Sequence, residues 1–255
     1  MLIDTHCHIH SADYPIPAKE VLKQAHEAGV ERMICIGTDE KSSAEAVEFA
    51  AKYKETYAAV GVHPHNTKDG WQEIKNLLLP SDRTLEASKI VGVGEIGLDY
   101  FYMHSPKEVQ IKAFEEQLDF AVQHNLPVSF HVRDAFDDFW PIFDNFHNVR
   151  GVLHSFTDTM KNAQEGMKRG LYIGVNGIST FTKDESQKAL FAELPLDRLL
   201  LETDAPFLAP APWRGKTNQP AFVREIAEHH AMIRKIAPEE VASATTTNAR
   251  NLFGI

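Results

Sequence analysis

Six side chains in this sequence are of types that bind divalent cations, and their spacing lets them act together: His6, His8, Glu95, His131, His154 and Asp204. His6 and His8 stand two apart in MLIDTHCHIH. On an extended chain such residues point to one side, so both imidazoles can reach one ion. A polar strand end open to solvent explains the pair equally well. Cys7 then faces away and reads as a small buried residue. Glu95 occurs in Val93-Gly94-Glu95-Ile96-Gly97-Leu98-Asp99, a buried, glycine-rich run. A lone carboxylate there is costly unless it is paired or coordinates a metal, and the glycines let a ligand approach the backbone closely. A salt bridge to a basic neighbour is the alternative.

His131 closes Pro127-Val128-Ser129-Phe130-His131, and His154 closes Gly151-Val152-Leu153-His154. One histidine ending an apolar run is usually structural. Two of them beside Glu95 favour coordination, because neutral imidazoles clustered with carboxylates suit zinc and similar ions. Asp204 follows Leu199-Leu200-Leu201 within Glu202-Thr203-Asp204-Ala205-Pro206. As an alternative to a cap or Asx-turn, it is expected to be a ligand that also orients an attacking water, with Glu202 supporting a neighbouring ligand. Six ligands exceed the three protein ligands usual at a single catalytic zinc, which hints at a shared pair of ions.

The elements that must position these residues are read from periodicity. Short β-rich runs lie near 2–6, 32–36, 57–62, 90–94, 127–131, 151–154, 171–175 and 198–202. Amphipathic stretches lie between them, near 18–28, 41–54, 71–79, 107–124, 136–146, 159–169, 184–193 and 219–235, with a further one at 238–252. Strict alternation over this length predicts an α/β fold, a (β/α)8 TIM barrel with an additional C-terminal helix. An open doubly wound sheet is the fallback. In this register all six candidate ligands fall at carboxyl ends of strands, the face on which barrel active sites are built. No glycine-rich phosphate fingerprint follows the first strand, so dinucleotide binding is disfavoured.

The 255 residues, 43% apolar and 24% charged, suit a single domain spanning 1–255 with one large core. No linker or repeat suggests a second. The irregular stretch 203–219, rich in proline, is expected to form a rigid substrate loop after the eighth strand. Two cysteines, Cys7 and Cys35, and an amino terminus without a signal-peptide pattern lead to the expectation of a reducing, cytoplasmic setting. No apolar run approaches the roughly 18 residues needed to span a bilayer. A formal charge of −10 argues against broad wrapping of nucleic acid, although metal ions can supply positive charge at a local site.

Taken together, the chain resembles the TatD family of metal-dependent deoxyribonucleases, a branch of the amidohydrolase-like barrels. The resemblance runs through Ile3-Asp4-Thr5-His6-Cys7-His8, Gly61-Val62-His63-Pro64-His65, Gly92 to Tyr100, His131-Val132-Arg133, His154-Ser155-Phe156 and Glu202 to Pro206, covering essentially the whole chain. It implies one metal at His6, His8, Glu95 and Asp204 and a second at Glu95, His131 and His154, with Glu95 shared. The implied cofactors are two divalent ions, Mg, Mn or Zn. The implied reaction is phosphodiester hydrolysis by a metal-activated water, trimming single-stranded DNA or RNA from the 3′ end. Asp204 and Glu95 are its catalytic residues, and no membrane or obligate protein partner is implied. An ion pair about 3.5–4 Å apart suits that chemistry, activating water and stabilising the leaving oxygen.

Substrate contacts are expected from His63, Arg133, Arg214 and Tyr100. His63 is either a phosphate or leaving-group contact or a structural histidine before Pro64. Arg133, Arg214 and Lys216 can hold phosphates, with surface charge the alternative for Lys216. Tyr100, Phe101 and Tyr102 can stack on a base, with at least one expected in the core. The loop Arg214 to Pro220 departs from the family pattern, having Thr217 and Gln219 where Arg and Glu are usual; this leaves the metal ligands untouched and bears on substrate contacts. One rival is an amidohydrolase-type barrel acting on an amide, lactone or ester. Strand four discriminates, since many such enzymes bridge their metals with a modified lysine where this chain offers Glu95. The other is a noncatalytic scaffold, which the retention of all six ligands disfavours.

Overall fold

A computed structural model describes residues 1–78 and 89–255. Leu79, the last residue of the helix expected at 71–79, lies outside the described residues. The first part of the chain forms β1 (Leu2–Cys7), α1 (Ala18–Glu27), β2 (Val30–Ile36), α2 (Glu40–Lys52), β3 (Thr56–Val60), a 3-10 turn at Pro64–Asp69 and α3 (Ile74–Leu78). Next come β4 (Ile90–Asp99), α4 (Lys107–Gln123), β5 (Val128–Arg133), α5 (Phe136–Phe143) and β6 (Gly151–Leu153). The remainder forms α6 (Met160–Lys168), β7 (Tyr172–Val175), α7 (Ile178–Phe181), α8 (Glu185–Glu193), β8 (Leu199–Leu201), α9 (Val223–Arg234) and α10 (Pro238–Phe253).

The strands join one sheet in chain order from β1 to β8, and the neighbours from β3 to β6, together with β7 and β8, pair in parallel. Beyond β8 the chain returns to β1, where Asp204 donates its N–H to the His6 carbonyl at 2.9 Å and His8 donates to Ala205 at 2.8 Å. This is the (β/α)8 order expected from the alternation. The chain divides into two compact units, residues 1–34 with 155–255 and residues 35–154. Among the described residues no helix is long and apolar enough to cross a membrane.

In the unit 35–154, β4 is buried along almost its whole length, and Phe114, Phe130 and Phe139 pack against one another with centroids 5.3 to 6.1 Å apart. Helix α2 starts where the Asp39 carboxylate accepts the Ser42 N–H at 2.7 Å, filling one of the orphan donors of a first turn. In the other unit the core gathers Leu199, Leu200, Leu201, Val223, Ile226 and Val241. Helix α10 is the expected additional C-terminal helix. It begins on Pro238, ends on Gly254 in the left-handed region, and its buried Asn248 donates to the carbonyls of Leu196 and Leu199.

Two expected strand ends need correction. The fifth strand runs past His131, to Arg133. The fourth strand does not stop at Gly94; it runs to Asp99. Its register against β5 shifts between Val93 and Ile96, so Gly94 and Glu95 form a bulge. Glycines at 92, 94 and 97 weaken the strand pattern in sequence, yet they are what a bulged strand needs. Glu95 therefore lies inside a strand, as does His131 in β5. The short α7 and the Pro64–Asp69 turn were not expected, being too short to show a helical period.

Two outcomes follow from this packing. Gly97 has φ +144°, and a Cβ there would stand 2.0 Å from the His131 carbonyl oxygen, whereas Gly29, at φ +82°, faces open space. Gly97→Ala is expected to lower stability by well over the roughly 1 kcal/mol that the backbone change alone costs at Gly29→Ala, as read by urea unfolding of the two variants. Separately, burial in α9, with the Arg234 and His229 charges adding to it, lowers the His230 imidazole to about 3. The unfolded chain, with histidine near 6.5, then binds the extra proton between those values. The stabilisation is complete above about pH 6.5 and is lost as pH falls towards 3. His230→Gln should flatten the decline in unfolding midpoint between pH 7 and pH 5, and an unchanged slope would assign the effect to other groups.

Candidate metal centre

The first unit brings together His6, His8 and Asp204. His6 is fully buried in β1 and His8 half-buried just past its end. Asp204 Oδ1 stands 3.3 Å from His8 Nε2 and 3.8 Å from His6 Nε2. Two ligands bound at about 2.1 Å to one ion stand roughly 3–4 Å apart, so these separations fit a shared cation. Cys7, between the histidines, is buried and faces the Ile34 carbonyl, as its alternation requires.

Asp4, two residues before His6 on the same strand, positions this group. Its Oδ1 accepts the N–H of His6 at 3.2 Å and of Thr203 at 2.9 Å, and its Oδ2 lies 2.5 Å from Thr203 Oγ1. Burial pushes its carboxyl up to about 8, against the pull of the bonds to Thr203 and His6. Asp4 accepts both the backbone N–H and the hydroxyl of Thr203 and so ties β1 to the turn holding Asp204. Asp204 takes φ +61°, a left-handed conformation that aspartate tolerates better than most residues. Glu202 is buried and accepts the Ser155 N–H at 2.6 Å; a Cβ on Gly174 would meet its carboxylate at 2.5 Å, so glycine there leaves it room.

The second unit brings together Glu95, His131, His154 and His63. Glu95 Oε1 lies 2.8 Å from His131 Nδ1, 3.5 Å from His63 Nε2 and 3.9 Å from His154 Nε2. His131 Nε2 faces Asp99 Oδ2 at 2.8 Å. Burial alone would lower the His131 pKa, but the bonds to Asp99 and Glu95 outweigh it and raise it. Both ring nitrogens then donate, and a cation beside Glu95 would take the place of the Nδ1 proton. A ligand histidine whose other N–H goes to a carboxylate is the usual arrangement at metals.

His63 is close enough to Glu95 and His131 to count as a ligand by distance. The hydrogen bonds say otherwise. Its Nδ1 accepts the His65 N–H at 3.1 Å, so in the neutral ring the proton sits on Nε2, facing Glu95. Burial, reinforced by His131, holds His63 well below its ordinary value and hence neutral. It is arranged as a hydrogen-bond donor, in keeping with a substrate contact.

The other expected contacts are dispersed. Arg133 is exposed, its guanidinium 4.2 Å from the Phe101 ring centre and 4.8 Å from that of Tyr102. Arg214 stands 3.7 Å over Phe181 and donates to the Ala209 carbonyl, while Lys216 lies over Trp213. Tyr100 is half-buried and gives its hydroxyl to Asp138 at 2.8 Å, beside Lys107. None of Tyr100, Phe101 and Tyr102 enters the core, which corrects that expectation. Phe101 and Tyr102 are pushed outward because Asp99 holds their backbone N–H groups at the strand end.

Asp99 and Asp4 were not singled out from sequence, although the signal was present. Asp99 is four residues beyond Glu95 and Asp4 two before His6, so alternation puts each on the face of a ligand.

The TatD-related DNase family model matches residues 3–254. The chain belongs to the TatD-related DNase family. It is 39% identical to an uncharacterized metal-dependent hydrolase, YabD, of Bacillus subtilis, over all of both chains. Identity is 33% to the 3′-5′ ssDNA/RNA exonuclease TatD of Citrobacter rodentium, covering 100% of this chain and 98% of that one. The crystal structure of the TatD homologue YjjV from Escherichia coli superposes with a TM-score of 0.91 at 30% identity, over 100% of this chain and 98% of that one. The resemblance read from the motifs and the barrel fold both stand, and this TatD-related chain is a hydrolase.

Asp99→Asn removes the charge that orients His131 while preserving size. It is expected to weaken manganese or zinc binding by about 10–100-fold with an unchanged circular-dichroism spectrum. Calorimetric titration showing wild-type affinity would remove Asp99 from the metal centre.

Proposed function

We propose that this chain hydrolyses phosphodiester bonds at the 3′ ends of single-stranded DNA or RNA, using two divalent ions. His6, His8 and Asp204 serve as ligands on one side and Glu95, His131 and His154 on the other, with Glu95 shared as the family resemblance implies. The observation that carries this reading is that each unit already gathers imidazole nitrogens around a carboxylate oxygen at distances that suit one cation. Relatives named as 3′-5′ ssDNA/RNA exonucleases supply the substrate class.

Divalent ions at such ligands supply Lewis acidity, making water acidic and offsetting charge on phosphoryl oxygens. The chain's own residues supply position and proton handling. Asp204, partly exposed beside His8, is placed to accept a proton from the attacking water and hold its lone pair towards phosphorus. His63, neutral with its proton on Nε2, donates to a phosphate oxygen or to the departing 3′ oxygen. Hydrogen bonds aimed at charge that develops in the transition state are the ones that accelerate the step.

Glu95→Ala and Asp204→Ala are each expected to lower nucleotide release from a 5′-labelled single strand at least about a hundredfold, with secondary structure intact. A blocked 3′ end should protect the strand, and chelation should abolish release until Mg, Mn or Zn is returned. Release without metal, or release indifferent to both substitutions, would overturn the reading.

A further inference from the structure

Immediately after β4 the chain exposes Phe101, Tyr102 and Met103, at 56, 49 and 45% of their full surface. Consecutive large apolar side chains left in water commonly mark a binding surface. The backbone beneath is fixed, since Asp99 Oδ1 accepts the N–H groups of Phe101 at 3.1 Å and Tyr102 at 2.8 Å. The other oxygen of that carboxylate holds His131. The aromatic rings are therefore tied to a candidate metal ligand through one rigid group.

Arg133, at the end of β5, places its guanidinium near both rings, His104 stacks parallel to Tyr102 with ring centres 5.6 Å apart, and Phe101 stands edge-on to Tyr102. In a chain of net charge −10, an exposed arginine among exposed aromatic rings offers flat π surfaces for a base and guanidinium donors for phosphate. A duplex does not present the faces of its bases, whereas a single strand does.

We propose that Phe101, Tyr102 and Arg133 form a base-stacking subsite that receives an unpaired nucleobase next to the scissile phosphate and so selects single strands. The subsite rests on the nuclease reading above. Its chemistry is indifferent to base identity, because every base has a π face.

The test uses the full chain with Mn2+ and a fluorescein-labelled oligothymidylate whose phosphorothioate linkages resist cleavage. A second probe is identical except that its two 3′-terminal nucleosides are abasic. Fluorescence anisotropy should show wild type binding the base-bearing probe at least about tenfold more tightly than the abasic one. Phe101→Ala with Tyr102→Ala should bind both alike, and Phe101→Tyr with Tyr102→Phe should restore the difference. Both rings are exposed, so melting temperatures should stay close to wild type. Undiminished discrimination by the double alanine variant would overturn the subsite, as would a wild type that cleaves single strands while binding both probes equally. A wild type that neither binds nor cleaves single strands would overturn the nuclease reading along with it.

Discussion

A carboxylate buried inside a parallel strand has to be surrounded by donors, and Asp99 shows how much structure that demand organises. Its two oxygens receive the rings of His131 and His65 and the N–H groups of Phe101 and Tyr102. Burial alone would raise its pKa; the donors, His131 first, hold it far below the ordinary carboxylate range. Gln110 of α4 brackets the same residue, accepting the Asp99 N–H and donating to its carbonyl. An isolated ion in this place would cost several kcal/mol. With its donors in place it fixes the His131 ring, and through that ring the approach to Glu95.

The other unit meets a related demand in a different way. Asp4 is as buried as Asp99, but its neighbours are backbone N–H groups and a hydroxyl rather than imidazoles, and Glu202 adds repulsion. Burial therefore dominates and the Asp4 carboxyl is pushed up, whereas the imidazoles around Asp99 pull its carboxyl down. Asp4 joins β1 to the Thr203 turn by accepting the Thr203 N–H and hydroxyl. Two equally buried carboxyls are thus held by different donors, one by imidazoles and the other by backbone and hydroxyl groups.

Periodicity made the alternation of strand and helix legible, because eight buried parallel strands joined by amphipathic helices leave little freedom in the pattern. Strand-end placement then singled out all six candidates, His6, His8, Glu95, His131, His154 and Asp204, although Glu95 and His131 lie inside strands that run further than expected. The rest was harder to read for local reasons. The bulge at Gly94 and Glu95 is a register shift between two strands, and glycines that permit it look like an ending. The role of His63 depends on which nitrogen accepts the His65 N–H, a detail of backbone course after Pro64. Tyr100 is the aromatic residue singled out from the sequence as a substrate contact, yet its hydroxyl goes to Asp138, a partner 38 residues away that no local pattern reveals.

The departure at Thr217 and Gln219 can be weighed in the same terms. Between them lies Asn218, fully buried, whose Nδ2 donates to the carbonyls of Thr203 and Phe207 and whose own carbonyl accepts the Tyr14 hydroxyl. Its N–H goes to Pro206. These bonds bind the loop to the segment that carries Asp204 without using the side chain of either flanking residue. Thr217 and Gln219 are both half-buried, and the Gln219 side-chain oxygen is buried, so replacing a charged pair there changes the packing around the loop as well as its charge. The segment that carries Asp204 is held from beneath by Asn218 and Asp4 through backbone and Thr203 hydroxyl groups, so these bonds do not depend on the charge of the side chains at 217 and 219.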